Sequence, residues 1–241
     1  MRTAPAWLAM LVAAPALASH PLISEDTGVL ERGEWEFELH GERARDSDLR
    51  RSDVAVKLGY GFTDKATLEV ELPYVREEVD GETVKGRGDA SLAVKWRFYE
   101  KDGMSLAFKP DLLLPTGRDE EGLGAGKLRW AANLAAGYET GEFEFRLHVG
   151  YTDNRNTLGE RRSLWHASAA MLYEIAKGLK LAADYGRDSQ PDPTAGTHGR
   201  ELVLGAIYEL TPSVELGLGV KKALNDSADD RSLRAGIKLR W

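Results

Sequence analysis

The chain has 241 residues, no cysteine, and 39 acidic against 32 basic side chains, for a formal charge of −7. Such a sequence excludes a disulfide scaffold and a cysteine-ligated metal site, and its acidic balance excludes a protein that grips nucleic-acid phosphates with a basic face. Charged residues, at 29%, are spread so evenly that no apolar run reaches the roughly 18–20 residues of a membrane helix.

The first element is an export address. Arg2 precedes the apolar stretch Ala6-Trp7-Leu8-Ala9-Met10-Leu11-Val12-Ala13-Ala14, followed by Pro15 and the small-residue exit Ala16-Leu17-Ala18. This is the layout of a secretory signal peptide, cut after Ala18 or Ser19. Cutting after Ala18 removes one arginine and no acid, which moves the formal charge from −7 to −8. The expected organisation is a signal peptide over 1–18, a periplasmic lead over 19–32 and one β-domain over 33–241. His20, at or next to the mature N-terminus, is expected on a disordered tail.

From Trp35 onward the period is two. Trp35, Phe37 and Leu39 alternate with Glu34, Glu36, Glu38 and His40, one apolar face against one charged face. The same alternation carries the apolar rows from Val54 to Phe62, Leu68 to Tyr74, Leu92 to Phe98, Leu106 to Leu114, and Trp130 to Tyr138. It continues from Phe143 to Tyr151, Trp165 to Tyr173, Leu179 to Tyr185, Leu202 to Tyr208, Val214 to Val220 and Leu233 to Trp241. Twelve strands are predicted. Their connections alternate in length: tight turns at 63–65, 100–103, 140–142, 176–178 and 211–213, and longer polar segments at 43–51, 76–88, 115–127, 153–162, 187–199 and 225–230. Short turns at one end and long loops at the other describe an up-and-down antiparallel meander of the outer-membrane kind.

Aromatic placement decides which face meets lipid. Followed up and down the strands, Phe62, Trp96, Phe98, Tyr138, Phe143, Tyr173, Tyr208 and Trp241 fall at the short-turn end. Tyr74, Trp130, Tyr151, Trp165 and Tyr185 fall at the long-loop end. Two belts on the apolar face match the two interfaces of a bilayer, and a soluble core has no reason to sort its aromatics so. The expected fold class is therefore all-β, a twelve-stranded antiparallel up-and-down transmembrane β-barrel, closed by pairing the first strand with the twelfth because a bilayer tolerates no free edge. The alternating last strand, ending on Trp241, resembles the cue that the bacterial barrel assembly machinery reads.

Two segments carry a family resemblance: His20-Pro21-Leu22 with Glu25-Asp26-Thr27-Gly28, and Leu114-Pro115-Thr116-Gly117 leading into Gly122-Leu123-Gly124-Ala125-Gly126. They resemble the outer-membrane channel family described under the MetA-pathway of phenol degradation, whose layout covers essentially the whole mature chain. The resemblance implies a barrel and a transport role, and identifies no substrate.

The polar face, which becomes the lumen, carries twelve acids and eleven bases in this register, a near-balance that points to interior ion pairing rather than a one-signed selectivity ring. Candidate pore-lining residues are Glu36, Glu38, Lys57, Glu69, Lys95, Lys109, Arg129, Arg146, His148, His166, Lys180 and Lys238. Closure sets the row Glu34/Glu36/Glu38 beside Arg234/Lys238/Arg240, where a ladder of salt bridges is expected. Inward glycines, among them Gly59, Gly61, Gly137, Gly150, Gly186, Gly205, Gly217, Gly219 and Gly236, free space for solute, whereas inward Leu113, Leu172, Val203 and Ile207 support a local plug.

Two chemical motifs are weighed against plainer readings. Gly122–Lys127 is not a phosphate loop, because Glu121 replaces the required earlier glycine and Leu128 the required Ser or Thr. His148 and His166, with Ser163, Ser168 and Asp153, form the only cluster able to supply a nucleophile, a base and an orienting group; polar filling of the lumen is the expected role. No catalytic, cofactor or metal site is assigned. The expected protein is a monomeric channel in the cell outer membrane for passive passage of small solutes, surrounded by lipid and delivered by the assembly machinery. A non-conducting structural barrel stands second and a lumen-facing hydrolase third.

Overall fold

A computed structural model describes residues 20–46, 49–79, 81–194, 198–225 and 231–241. The segment expected as a signal peptide lies outside the described residues, as do 47–48, 80, 195–197 and 226–230 in four long-loop-end connections. The strands are β1 (Trp35–Asp46), β2 (Leu49–Thr63), β3 (Ala66–Val79), β4 (Glu82–Arg87), β5 (Ser91–Lys101), β6 (Met104–Leu113), β7 (Arg129–Thr140), β8 (Phe143–Asp153), β9 (Ser163–Ala176), β10 (Leu179–Ser189), β11 (His198–Thr211), β12 (Val214–Ala223) and β13 (Arg231–Arg240).

Every neighbouring pair is antiparallel, and β1 pairs with both β2 and β13, so the sheet closes on itself as a twelve-stranded barrel. At the seam Glu36 lies opposite Arg240, Glu38 opposite Lys238 and Glu42 opposite Arg234. The thirteenth strand, β4, is not part of the closed wall. It folds back on the upper half of β3, while β5 takes the lower half. The segment 76–88, expected as a loop, is thus a projecting β-hairpin. Likewise β1 runs on to Asp46 and β2 begins at Leu49, because ladder hydrogen bonds hold the chain above the level at which apolar alternation stops. The tight turns occur where expected. Between β5 and β6, Asp102 and Gly103 both take positive φ (53° and 80°), the two-residue turn whose twist matches the flanking strands.

The outside is apolar. Leu72, Leu147, Leu204, Leu218, Val149 and Met171 stand exposed between the two aromatic belts, and the belt residues themselves, Trp165 excepted, are exposed by more than a third. In water this would be a very large apolar patch; as a band facing hydrocarbon it is the favoured arrangement. Neighbouring belt aromatics pack on each other, with Trp35–Tyr60 and Phe143–Tyr173 at 4.7 Å between ring centres and Trp130–Tyr151 at 5.5 Å.

One expectation is corrected here. Of the segment expected over 19–32 as a periplasmic lead, the part from His20 to Leu30 runs inside the barrel, and 31–33 are exposed at its short-turn end. From the short-turn end the segment passes Thr67 on β3 and sweeps round the inner wall past β6, β8, β9 and β10 to His20, which stacks on His40 of β1. Leu22, Ser24 and Ile23 are fully or almost fully buried.

Candidate functional site: the barrel lumen

Alternation turns the second face of every strand inward, and with it nearly all the wall's charge. A charge removed from water must be paired and hydrogen-bonded to be tolerated, and the pairing pattern defines the lumen. All twelve candidate pore-lining residues face inward, and nine of them are buried: Glu36, His166 and Lys180 keep partial exposure.

The N-terminal segment is the counter-surface for many of them. Glu25 receives Lys95 at 2.6 Å and a closer contact from Lys109, with Glu69 behind both lysines at 3.8 and 3.6 Å. Asp26 adds a second acceptor for Lys95 at 3.1 Å. Asp184 accepts the backbone N–H groups of Ile23 and Ser24 at 2.8 and 2.7 Å and the Ser24 hydroxyl at 2.7 Å. Arg234 donates to the Leu22 carbonyl at 2.9 Å, and Thr67 accepts the Leu30 N–H at 2.8 Å. Wall side chains therefore satisfy the backbone of a segment that has no strand partner.

The inward glycines explain how it fits. A methyl carbon added at Gly217, Gly219 or Gly205 would come within 2.9–3.1 Å of Pro21; at Gly236 it would meet His20 at 3.2 Å, and at Gly59 it would meet Leu30 at 3.1 Å. These positions were expected to free space for solute; the N-terminal segment occupies that space instead. Of the four residues expected to support an apolar plug, Leu172, Val203 and Ile207 pack with Leu22, Ile23, Ala170 and Ala182, so the segment is part of it, whereas Leu113 is buried outside that cluster.

The expected seam ladder is only partly formed. Glu36 and Arg240 bridge β1 and β13 at 2.8 Å. Arg234 and Glu42 bridge the same two strands at 3.3 Å, whereas Glu38 pairs with Lys57 of β2 at 2.6 Å and Lys238 with Glu215 of β12 at 3.2 Å. Glu34 accepts the Glu31 N–H at 3.0 Å. Elsewhere Glu144 receives Lys180 at 2.9 Å and Arg146 at 2.5 Å.

At the long-loop end the 115–127 connection tucks inward, burying Leu123 and Ala125. Asp89 anchors it by accepting the N–H groups of Gly117 and Ala125 at 3.0 and 2.9 Å while also pairing with Arg129 at 3.0 Å. Between this loop and the tip of the N-terminal segment is a cavity of about 90 Å³ bordered by His20, His40, Glu71 and Leu123. At the short-turn end, by contrast, lies a chamber of about 580 Å³ lined by charged groups such as Glu34, Glu36, Arg97, Glu144, Lys180 and Glu215.

The histidine cluster resolves into hydrogen-bond filling. His148 and His166 sit diagonally across β8 and β9, with ring centres 4.7 Å apart. His148 Nδ1 accepts the Glu25 N–H at 3.3 Å, and its Nε2 lies 3.0 Å from Asn133 Oδ1. His166 lies between Asp188 at 2.5 Å and Ser168 at 2.9 Å, the connectivity of a hydrolytic triad. Burial argues against that role: Ser168 is buried, and the fully buried Ser24 contacts its hydroxyl at 2.9 Å, so packing from the N-terminal segment rather than an open substrate pocket surrounds it. Ser163 contacts Tyr151 on the outer face, and Asp153 is held by Arg155 and Arg162, so neither joins the histidines.

Comparison with known proteins agrees with this architecture. The family model described as "Putative MetA-pathway of phenol degradation" matches residues 19–241. No curated protein matches the chain in sequence. Among solved structures, the chain is similar to an outer membrane channel from Pseudomonas putida F1, with a TM-score of 0.70 at 19% identity over 90% of this chain and 98% of that one. It is also similar to the NanC porin (TM-score 0.61, 11% identity, 84% and 98% covered) and the KdgM porin (0.57, 9%, 85% and 98%). At these identities the likeness speaks for the fold.

Proposed function

The chain belongs to the family described under the MetA-pathway of phenol degradation, and from that premise we propose that it is an outer-membrane β-barrel channel for passive passage of small solutes. The observation that carries the reading is the combination of an apolar, aromatic-belted exterior with a charged chamber of about 580 Å³ inside a closed wall. Twelve strands enclose more than the eight whose interior side chains alone can fill, and the extra width is divided between that chamber and the N-terminal segment. In this reading the short-turn end is periplasmic, residues 1–18 are the export signal, and the protein is a monomer without catalytic activity, delivered through its C-terminal strand.

The route we assign runs from the periplasmic chamber past the ion-paired level of Glu25, Lys95 and Lys109 to the tucked 115–127 loop. Glu36, Glu38, Lys57, Glu69, Lys95, Lys109, Arg129, Arg146, His148, His166, Lys180 and Lys238 face that route. The N-terminal segment stands across it at mid-height, so passage requires the segment to shift. Refolded protein in planar bilayers tests the proposal: discrete conductance steps are expected, small in the resting state. Verified folded protein that inserts but shows no steps, both intact and without the segment, favours the non-conducting structural barrel, which the zero exposure of Leu22, Ser24 and Asp184 also supports.

A further inference from the structure

Outside the lumen, charge follows a different rule. On the outer face, one level above the apolar band at the long-loop end, four basic residues form a single cross-strand row: Arg50 on β2 opposite Arg45 on β1, Arg45 opposite Arg231 on β13, and Arg231 opposite Lys222 on β12. Arg43 stands two residues below Arg45 on the same face. All five are exposed, and none has an ion-pair partner among the described residues. The acid that ends the row, Glu78 opposite Arg50, is engaged by Arg76 at 4.0 Å. Arg43, Arg45, Arg50 and Arg231 border a shallow groove of about 370 Å³ whose lining includes Val220 and Leu233.

Like charges placed directly opposite one another across a sheet repel and weaken it. A row of four bases directly opposite one another on adjacent strands is therefore a place where a counter-ion from outside the wall relieves repulsion. Its level limits what that ion can be. The row faces sideways rather than into the medium, and immediately below it the wall is apolar at Leu233, Val220 and Val54. A ligand that fills the groove must carry negative charge at its head and hydrocarbon beneath. Arginine's planar fork suits phosphate oxygens, which accept two parallel N–H bonds from each guanidinium.

We propose that this outer face is a binding site for the phosphorylated headgroup of a glycolipid in the outer leaflet, with the Arg45–Arg231 pair gripping one phosphate and Arg43 and Arg50 flanking it. The inference rests on the membrane reading of the barrel. The row neutralises a bound lipid, and the lipid relieves the row's repulsion; the site is a fixed lipid contact on the wall, separate from the solute route.

The test uses the full mature protein folded in detergent, with binding read by native mass spectrometry. The probes are bis-phosphorylated lipid A, the same lipid A stripped of phosphates, and inorganic phosphate. Bis-phosphorylated lipid A is expected to bind about tenfold or more tightly than the dephosphorylated form, as the loss of charge-assisted hydrogen bonds implies. Free phosphate is expected not to displace it. The double variant Arg45→Gln/Arg231→Gln is expected to lose that preference while Arg187→Gln, on the outer face of β10, keeps it. Equal binding of the two lipids, displacement by free phosphate, or a double variant that keeps the preference overturns the proposal. Heat-dependent gel migration and bilayer insertion are measured on the same samples. A protein that fails to insert removes the membrane premise, whereas one that inserts without lipid preference removes only the site.

Discussion

At the level of His40 and Asp184 the interior is packed like the core of a soluble domain, and Leu22, Leu172, Val203 and Asp184 have no exposure. Below Lys95 and Arg146 the same twelve strands, with the same alternation, surround an open charged chamber. The strands do not differ between these levels; what differs is whether a third surface is present for the inward side chains to pack against. Where the N-terminal segment runs, lysines, carboxylates and glycines are consumed in docking it. Where it leaves the wall, the same residue types line water. A barrel of this width is neither a pore nor a plug by virtue of its wall alone.

The largest effect should come from removing that third surface. A protein lacking residues 20–32, exported with its signal intact, is expected to show single-channel conductance raised several-fold over the full chain, with unchanged heat-dependent gel migration. Conductance that stays the same would mean that the segment does not stand in the route.

A smaller effect is expected from breaking the central latch. Glu25→Gln leaves Lys95 and Lys109 buried with less counter-charge, and breaking a buried pair by removing one partner costs about 3–5 kcal/mol. Asp26 at 3.1 Å from Lys95 and Glu69 at 3.6 Å from Lys109 remain, so a value near the low end applies. The expected readouts are more frequent openings to the large-conductance state and faster proteolysis of the N-terminus in the folded barrel. If openings and cleavage rate match the parent, the ion pairs do not hold the segment.

Overfilling the cradle acts on the same equilibrium from the wall. In Gly217→Val the new carbons meet Pro21, since even a single methyl would lie 2.9 Å away. Overpacking of this kind costs about 1–3 kcal/mol, here charged against docking rather than against the barrel. Melting of the barrel should be nearly unchanged while openings rise modestly. A large drop in barrel stability with no change in gating would show that Gly217 serves the sheet and not the segment.

These variants also mark what could be read from the residues. The wall was legible because lipid on one side and water or charge on the other impose a strict period of two, as in Leu68-Val70-Leu72 against Glu69-Glu71. Extensions beyond the membrane were not, since Arg43, Arg45 and Arg50 stay in strands held by backbone ladders that need no apolar face. The location of His20–Leu30 was hidden for a related reason: a segment that docks through its backbone, with Pro21, Ser24 and Glu25 each finding a tailored partner, has no period at all. Its trace in the sequence is indirect, in Gly205, Gly217, Gly219 and Gly236, whose lack of side chains was read as empty space when it was space reserved. The histidine cluster was found, but what covers it depends on Ser24, which only the folded segment brings there.

The smallest effect concerns ion preference and separates the chamber from the packed level above it. Taken over the whole inward face the charges nearly balance, yet the chamber itself is bordered by ten carboxylates against seven basic groups. Glu31 and Glu34, at its mouth, have no ion-pair partner among the described residues. A net negative mouth raises the local concentration of cations, but charges at an open rim are screened over about 10 Å at 0.1 M salt. The intact channel should therefore favour cations weakly, seen as a small reversal potential under a potassium chloride gradient, larger at low salt. Glu31→Gln/Glu34→Gln should bring that potential toward zero while leaving conductance in high salt almost unchanged, because neither side chain holds the segment by an ion pair. An anion preference in the parent, or a double variant with the same reversal potential, would place the selecting charges at the packed level around Lys95 and Lys109 instead of in the chamber.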